Sequence, residues 1–261
     1  MDKQIRLDKY ISESSGESRS RARQWLKSKK VKVNGVVVTD SGHKISPLED
    51  EVCLDGLLLN HSSCHYLMLY KPSGVISARS SDREETVLDL VLGQDFDDTA
   101  YSPTVYRNVS PVGRLDKDTE GLLLLTDDGN LAHELLSPRK HVDKCYFALL
   151  DGPVGEEEAE KFREGLDIGD EKKTMPALLR HATKEEMDRH LPDNMTGYGV
   201  CITVKEGRYH QVKRMALAVG RKVVYLKRIS MGGLVLDPLL KPGECRKLTP
   251  EELRCLKEKN S

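Results

Sequence analysis

Apolar positions follow two different rhythms along the chain. Over roughly the first thirty residues they keep a helical spacing. With Ser18 as cap, a helix running to about residue 29 turns Ala22 and Leu26 toward a core. The same helix gathers Arg19, Arg23, Lys27 and Lys30 within about a quarter-turn of one another. A shorter helix is expected at 7–12. Two valine-rich strands, 31–33 and 36–38, flank Asn34-Gly35, a pair suited to the two left-handed positions of a tight hairpin, and a strand at 51–54 follows. From residue 66 the rhythm changes. Strand-like runs at 66–70, 122–125, 144–150, 199–204 and 223–229 mix irregularly with helix-like stretches at 86–92, 130–136, 156–165, 183–190 and 209–219. This mixing predicts an α+β fold on a mixed or antiparallel sheet, preceded by a small helix-helix-hairpin module. Thr249-Pro250-Glu251-Glu252 supplies a cap, a first-turn proline and a glutamate three beyond the cap, so a last helix is expected. The stretch 94–108 has no clear period and reads as a surface loop. The polar run 60–63 reads as a link, which sets expected boundaries at 1–58, a linker at 59–65, and a larger domain at 66–261.

Composition narrows the function classes. The chain has 261 residues, of which 38% are hydrophobic and 32% charged, an ordinary globular balance with enough length for a real core. Its longest apolar stretches are strand-sized, far short of a bilayer span, and the first ten residues lack the continuous apolar segment of a secretory signal. A cytoplasmic protein is therefore expected. Six cysteines are scattered with no close pair, unlike a zinc ribbon or a redox dithiol. The net charge of -1 hides segregation. Seven basic residues and no acid lie between Arg19 and Lys32. Eight more (Lys205, Arg208, Lys213, Arg214, Arg221, Lys222, Lys227, Arg228) stand against the single acid Glu206. Either run could be a solvated face. Together they suit a nucleic-acid surface whose affinity falls steeply as salt rises.

The densest chemistry lies at 113–129. Asp116, Asp118, Glu120, Gly121 and Asp127 fall at positions one, three, five, six and twelve of a calcium-binding loop. Context excludes that reading: Leu122 and Leu124 occupy two ligand positions, the last ligand is Asp rather than Glu, and Val109 and Pro111 deny an entering helix. In the other reading, Leu122 to Leu125 is a fully buried strand and Asp116 is a carboxylate presented on the loop before it. Taken alone, Asp116 and Asp118 could equally be making turn hydrogen bonds.

Further residues decide between these. Gly113-Arg114-Leu115-Asp116, with Thr119 and the run from Gly121 to Gly129, resembles the central motif of pseudouridine synthases. Lys144-Cys145-Tyr146 resembles their second motif, and the stretch from Glu206 to Met215 resembles their third. Val223 to Ile229, followed by Gly232-Gly233-Leu234, continues the pattern. The amino-terminal module is similar to the RNA-binding domain of the ribosomal-protein-four type, through Ile5 to Tyr10, Ser20-Arg21, and Val31 to Gly35. Within the superfamily, Tyr209-His210 resembles the branch that modifies small-subunit ribosomal RNA, whereas large-subunit relatives tend to carry Asn-Arg there.

The resemblance implies an enzyme that isomerises a uridine without a cofactor or metal, with ribosomal RNA or an assembling small subunit as partner and a single chain as the working unit. It implies Asp116 as the catalytic carboxylate, acting as nucleophile or as base. Lys213 would keep that carboxylate ionised in a dry pocket. Tyr146 would stack on the flipped uracil, Leu226 would close the apolar wall, and Arg114 would fill the gap in the RNA stack or hold phosphates. RNA affinity is expected from Arg19, Arg21, Arg23, Lys27 and Lys30 in the module and from Arg208 and Arg214 near the site. A non-catalytic ribosome-assembly factor and a synthase acting on large-subunit RNA are the alternatives.

Overall fold

The computed structural model describes residues 4–47, 49–59, 64–94, 103–137 and 140–258. Its contacts divide into two compact units, Met1–His65 with Val91–Val109, and Tyr66–Leu90 with Ser110–Ser261.

In the first unit, β1 (Ile5–Arg6) leads into α1 (Leu7–Ser15) and α2 (Arg19–Lys27), followed by β2 (Val31–Val33), β3 (Val36–Val37), β4 (Lys44–Ile45), β5 (Val52–Leu54) and β6 (Leu57–Leu59). The Ser18 hydroxyl accepts the Arg21 N–H at 3.2 Å, the cap read from the sequence. Ala22 and Leu26 turn inward onto Leu7, Ile11, Val31 and Val52. Asn34 and Gly35 take φ of +49° and +80°, the two left-handed positions that close β2 onto β3. The helix expected at 7–12 continues to Ser15 and stops at Gly16, φ +70°. Its last turn carries serines and a glutamate, so no apolar period marked it. Inside the helix the Ser15 hydroxyl instead donates back to the Ile11 carbonyl at 2.6 Å. A four-stranded sheet in the order β3-β2-β5-β6 and the pair β1-β4 complete the unit. Of the loop expected at 94–108, residues 95–102 lie outside the described residues, and Pro103–Asn108 form a 3-10 turn against α1. The link at 60–63 also lies outside them.

The second unit is built on one large mixed sheet. Its elements in chain order are β7 (Tyr66–Lys71), α3 (Val87–Leu92), β8 (Ser110–Pro111), β9 (Glu120–Thr126), α4 (Gly129–Leu136), β10 (Lys144–Leu150), α5 (Glu156–Glu164), β11 (Leu178–His181), α6 (Lys184–His190), β12 (Tyr198–Val204), α7 (Gln211–Ala218), β13 (Val223–Met231), β14 (Leu234–Val235), β15 (Cys245–Lys247) and α8 (Pro250–Glu258). The sheet order is β11-β12-β10-β13-β9-β7-β15, with β14 paired to β13 and β8 to β9. Every pair is antiparallel except β13 with β9. Leu122 to Leu125 are all fully buried, as an uninterrupted apolar strand requires. Leu122 and Leu124 face a core with Met68, Val112, Leu131, Leu135, Met231 and Leu256.

The parallel join puts Arg228 beside Gly121. Gly121 has φ +102°, and a Cβ built there would lie 2.2 Å from the Arg228 carbonyl oxygen, so only glycine lets the two strands approach. Strands β11, β14 and β15 carried no sequence signal, because each is short and none alternates cleanly between apolar and polar residues. The α8 cap is the reciprocal pair the sequence suggested: the Glu252 carboxylate accepts the Thr249 N–H at 2.8 Å, and the Thr249 hydroxyl accepts the Glu252 N–H at 3.2 Å. Among the described residues no helix is long and apolar enough to cross a membrane.

Candidate active site

The loop between β8 and β9 carries Asp116, and its neighbours fix it tightly. The Ser77 hydroxyl donates to the Leu115 carbonyl at 2.9 Å and accepts the Leu115 N–H at 3.1 Å. The Thr119 N–H closes a turn on the Asp116 carbonyl at 3.0 Å. From the end of β7, the fully buried Lys71 donates to the carbonyls of Pro72 (2.9 Å), Lys117 (3.2 Å) and Thr119 (2.9 Å). Burial pushes its ammonium down to about 8, against the pull of Glu120, Asp118 and Asp116. Lys71 was not legible as a site residue, because Lys71-Pro72 at a strand end resembles any polar strand terminus.

Across the cleft, α7 is amphipathic, with Val212, Met215 and Ala216 buried. The helix expected from 209 starts at Gln211, because His210 takes a left-handed φ of +48° and cannot continue it. The following turn aims Lys213 at the loop. Its Nζ lies 3.2 Å from Asp116 Oδ2 and 2.5 Å from Asp118 Oδ1. Burial by itself would lower the Lys213 ammonium, but hydrogen bonds to Asp118 and Asp116 outweigh it and hold the group above its ordinary value. The Lys213 hydrogen bond in turn holds the Asp118 carboxyl below the usual range. Asp116 is half-buried, its side chain 27% exposed, and His210 Nε2 lies 3.6 Å from Oδ1. The imidazole stacks on the exposed Tyr209 ring at 3.8 Å.

Tyr146 of β10 and Leu226 of β13, 9% and 5% exposed, join Val204 and Val212 in an apolar floor. With Asp116, Thr119 and Lys213 they line a cavity of about 70 Å³. A larger hollow of about 470 Å³ adjoins it, between residues 76–78, 113–117 and 207–210. Arg114 lines both and is exposed. The structure therefore brings together Asp116, Lys213, Tyr146, Leu226 and Arg114, and adds His210 and Thr119. Behind the floor, the Glu120 carboxylate accepts hydrogen bonds from Tyr225 at 2.9 Å and Tyr70 at 3.3 Å. Burial, reinforced by the Glu120 charge, pushes the Tyr70 phenol up to about 12. Among the described residues no three His, Cys, Asp or Glu side chains converge as a metal ion would require.

The expected RNA-contact cations are more tied down than their sequence positions suggest. Arg208 donates to the Lys172 and Lys173 carbonyls at 2.6 and 2.8 Å and to Glu206 at 3.1 Å. Arg214 bonds Asp170 at 2.6 Å and the Ile168 carbonyl at 3.1 Å. Both thus brace the 168–173 loop against the start of α7. In the first unit, the fully buried Asp8 gathers Arg6 and Arg23, both at 3.1 Å, and Arg19 at 3.9 Å. Burial would raise the Asp8 carboxyl, yet the bonds from Arg6 and Arg23 bring it below the usual range. Lys30 pairs with Asp55 at 2.7 Å, and the Arg21 guanidinium sits over the Trp25 ring at 5.5 Å. Lys27 is exposed.

The chain is similar to known proteins over most of its length. Residues 65–218 match the RNA pseudouridylate synthase family, and residues 5–52 match the S4 domain. The uncharacterized RNA pseudouridine synthase YtzG of Bacillus subtilis (strain 168) is 42% identical over 254 residues, 97% of this chain and 99% of that protein. Ribosomal small subunit pseudouridine synthase A of Escherichia coli (strain K12) is 39% identical over 251 residues, 95% of this chain and 98% of that protein. A crystal structure of a pseudouridylate synthase, 38% identical, superposes with a TM-score of 0.61 over 97% of this chain and 99% of that one.

Proposed function

Since the chain belongs to the RNA pseudouridylate synthase family and carries an S4 domain, we propose that it acts on small-subunit ribosomal RNA and that Asp116 carries the conversion of one uridine there to pseudouridine. The observation that carries this reading is the Asp116 carboxylate, 3.2 Å from the Lys213 ammonium at the edge of an apolar cavity floored by Tyr146 and Leu226. The isomerisation breaks the bond between ribose C1′ and uracil N1, turns the base, and forms a bond from C1′ to C5. The C5 proton leaves and N1 gains one, so no atom is lost or added. Addition of the carboxylate to the nucleoside and removal of a ribose proton both need an ionised Asp116, and the Lys213 ammonium stands 3.2 Å from it. A detached uracil must be kept from water and from escape, which suits the packed apolar floor. Tyr146 offers the extruded base an aromatic face, and Arg114 stands at the rim where the vacated RNA stack would lie.

The choice of small-subunit RNA is supported by the Escherichia coli relative's name and by Tyr209-His210. Residues 1–58 would select and orient the RNA, through Arg21 and Lys27 and through the field of the paired Arg19, Arg23 and Lys30, leaving the chemistry to 66–261. Arg208 and Arg214 would add to that field while bracing the wall of the cleft. The enzyme would work in the cytoplasm, where ribosomes assemble, and as one chain.

Asp116→Asn tests the assignment: RNA binding is retained and pseudouridine formation is abolished. Normal modification by the variant overturns the role of Asp116. Mapping pseudouridines in cells lacking the protein tests the substrate. One site is lost from small-subunit RNA, whereas a loss confined to large-subunit RNA overturns that choice.

A further inference from the structure

Next to the Asp116 cavity, and sharing Arg114, Tyr146, Glu206 and Gly207 with it, lies a separate cavity of about 190 Å³ with an unusual charge inventory. Arg114, Lys144, Lys205 and Arg228 all line it. Among the described lining residues the only carboxylate is Glu206, and its oxygens are already engaged by Arg208 (3.1 Å), the Met175 N–H (3.0 Å) and Gln211 (3.0 Å).

Arg228 is 2% exposed. Its Nε donates to the Leu122 carbonyl at 2.8 Å, but its Nη2 is buried and has no hydrogen-bond partner among the described residues. Lys144, half-buried beside it, donates to the Val142 carbonyl at 2.9 Å, which leaves two of its three N–H groups for something else. Burial, and then the neighbouring Arg228 charge, pushes the Lys144 ammonium down to about 8 against the weaker pull of Asp143, so at neutral pH the two cations repel each other across the cavity. Buried charge is stable when paired, and a buried guanidinium donor is ordinarily satisfied.

We propose that this cavity binds one phosphodiester group of the RNA backbone beside the extruded uridine, with the Arg228 guanidinium and Lys144 Nζ as its inner donors and Lys205 and Arg114 at its mouth. This rests on the RNA-modifying activity set out above and adds a subsite to it. Guanidinium and ammonium donors together suit a phosphate oxygen pair. The location gives the subsite a purpose. During the reaction the base detaches and turns, so the ribose must be held by something other than the base, and an anchored neighbouring phosphate does that.

The test scans single neutral methylphosphonate linkages along an RNA fragment that the wild-type enzyme modifies, measuring RNA affinity and single-turnover pseudouridine formation for wild type and Lys144→Gln. Lys144 is chosen over Arg228 because its backbone bond to Val142 lies at a strand end, and thermal melting verifies that the variant is folded. In wild type, neutralising one linkage flanking the target uridine weakens binding about tenfold or more, as loss of a charge-assisted contact does. In Lys144→Gln the same replacement costs no more than about twofold, because its partner is already gone. Equal penalties in the two proteins at every linkage, or no sensitive linkage in wild type, overturn the subsite while leaving the activity intact. Failure of wild type to form pseudouridine in any RNA overturns the activity and the subsite together.

Discussion

Replacing Lys213 by methionine removes the ammonium from between Asp116 and Asp118 while keeping an unbranched stem in α7. At the observed 3.2 Å, the attraction between Lys213 and Asp116 is about 1.3 kcal/mol for the dielectric of water and about 5 kcal/mol for an effective value of 20. The two side chains are 26% and 27% exposed, which places the pair between these limits and toward the lower. Hydrogen bonds to charged groups measure about 1.5–3 kcal/mol, so the expected loss is about 2 kcal/mol, near thirtyfold in rate. The assay is single-turnover conversion with enzyme in excess, with RNA affinity measured separately. The rate falls between about tenfold and a hundredfold and affinity changes by less than about threefold, because Lys213 faces the carboxylates rather than the open surface. Asp118→Asn is the control. Asp118 takes the shorter contact, 2.5 Å, but its side chain is 69% exposed, so if Lys213 serves Asp116 this variant stays within about threefold of wild type. A Lys213→Met rate within twofold of wild type, or a loss matched by Asp118→Asn, would refute the assignment.

Two further outcomes follow from the packing and from the buried lysines. Gly121→Ala places a Cβ 2.2 Å from the Arg228 carbonyl at φ +102°, so β9 and β13 must part, and the variant loses about 3 kcal/mol or more, read by denaturant unfolding; a loss under 1 kcal/mol would show that the join is not tight. Lys71 and Lys144 titrate near pH 8 in the folded chain and near 10.5 when unfolded. Between those values the unfolded chain binds more protons, so stability rises with pH above about 8, by about 1–3 kcal/mol by pH 10. Denaturant midpoints at three pH values measure the slope, which Lys71→Met reduces; an unchanged slope in that variant removes Lys71 as its source.

The parts of the fold and site that could be read from sequence are those in which a local rule and the tertiary structure ask for the same residue. Asn34-Gly35 is a left-handed pair in any hairpin, Ser18 caps α2 with its own hydroxyl, and Leu122 to Leu125 has no polar side to show solvent. Asp116, Lys213 and Tyr146 lie far apart in sequence, and they were found together only because their motifs resemble a family. What stayed hidden depends on partners distant in sequence. Arg208 and Arg214 read as open cations, yet they bind Asp170 and backbone carbonyls some forty residues upstream. Arg19 and Arg23 read as part of an RNA-facing basic patch, but Asp8 draws them together from the preceding helix. Lys71 reads as a strand end and is the pin of the loop that carries Asp116.

How each buried cation is satisfied separates structural roles from functional ones. Lys71 is fully buried, and three backbone carbonyls surround its ammonium; its need is met within the chain, and its effect is to hold a loop. Lys227 is met internally as well, lying 4.6 Å over the Tyr70 ring and in register with Glu120, whose charge opposes the downward push of burial on its ammonium. Arg228 and Lys144 differ. They share a cavity, repel one another, and keep unspent donors where the one carboxylate among the described lining residues, Glu206, is engaged elsewhere. A fold that needed these two charges only for its own cohesion would be better served by apolar residues of like volume. Their presence beside Asp116 is accounted for when the balancing charge arrives with the substrate, and RNA brings one with every nucleotide.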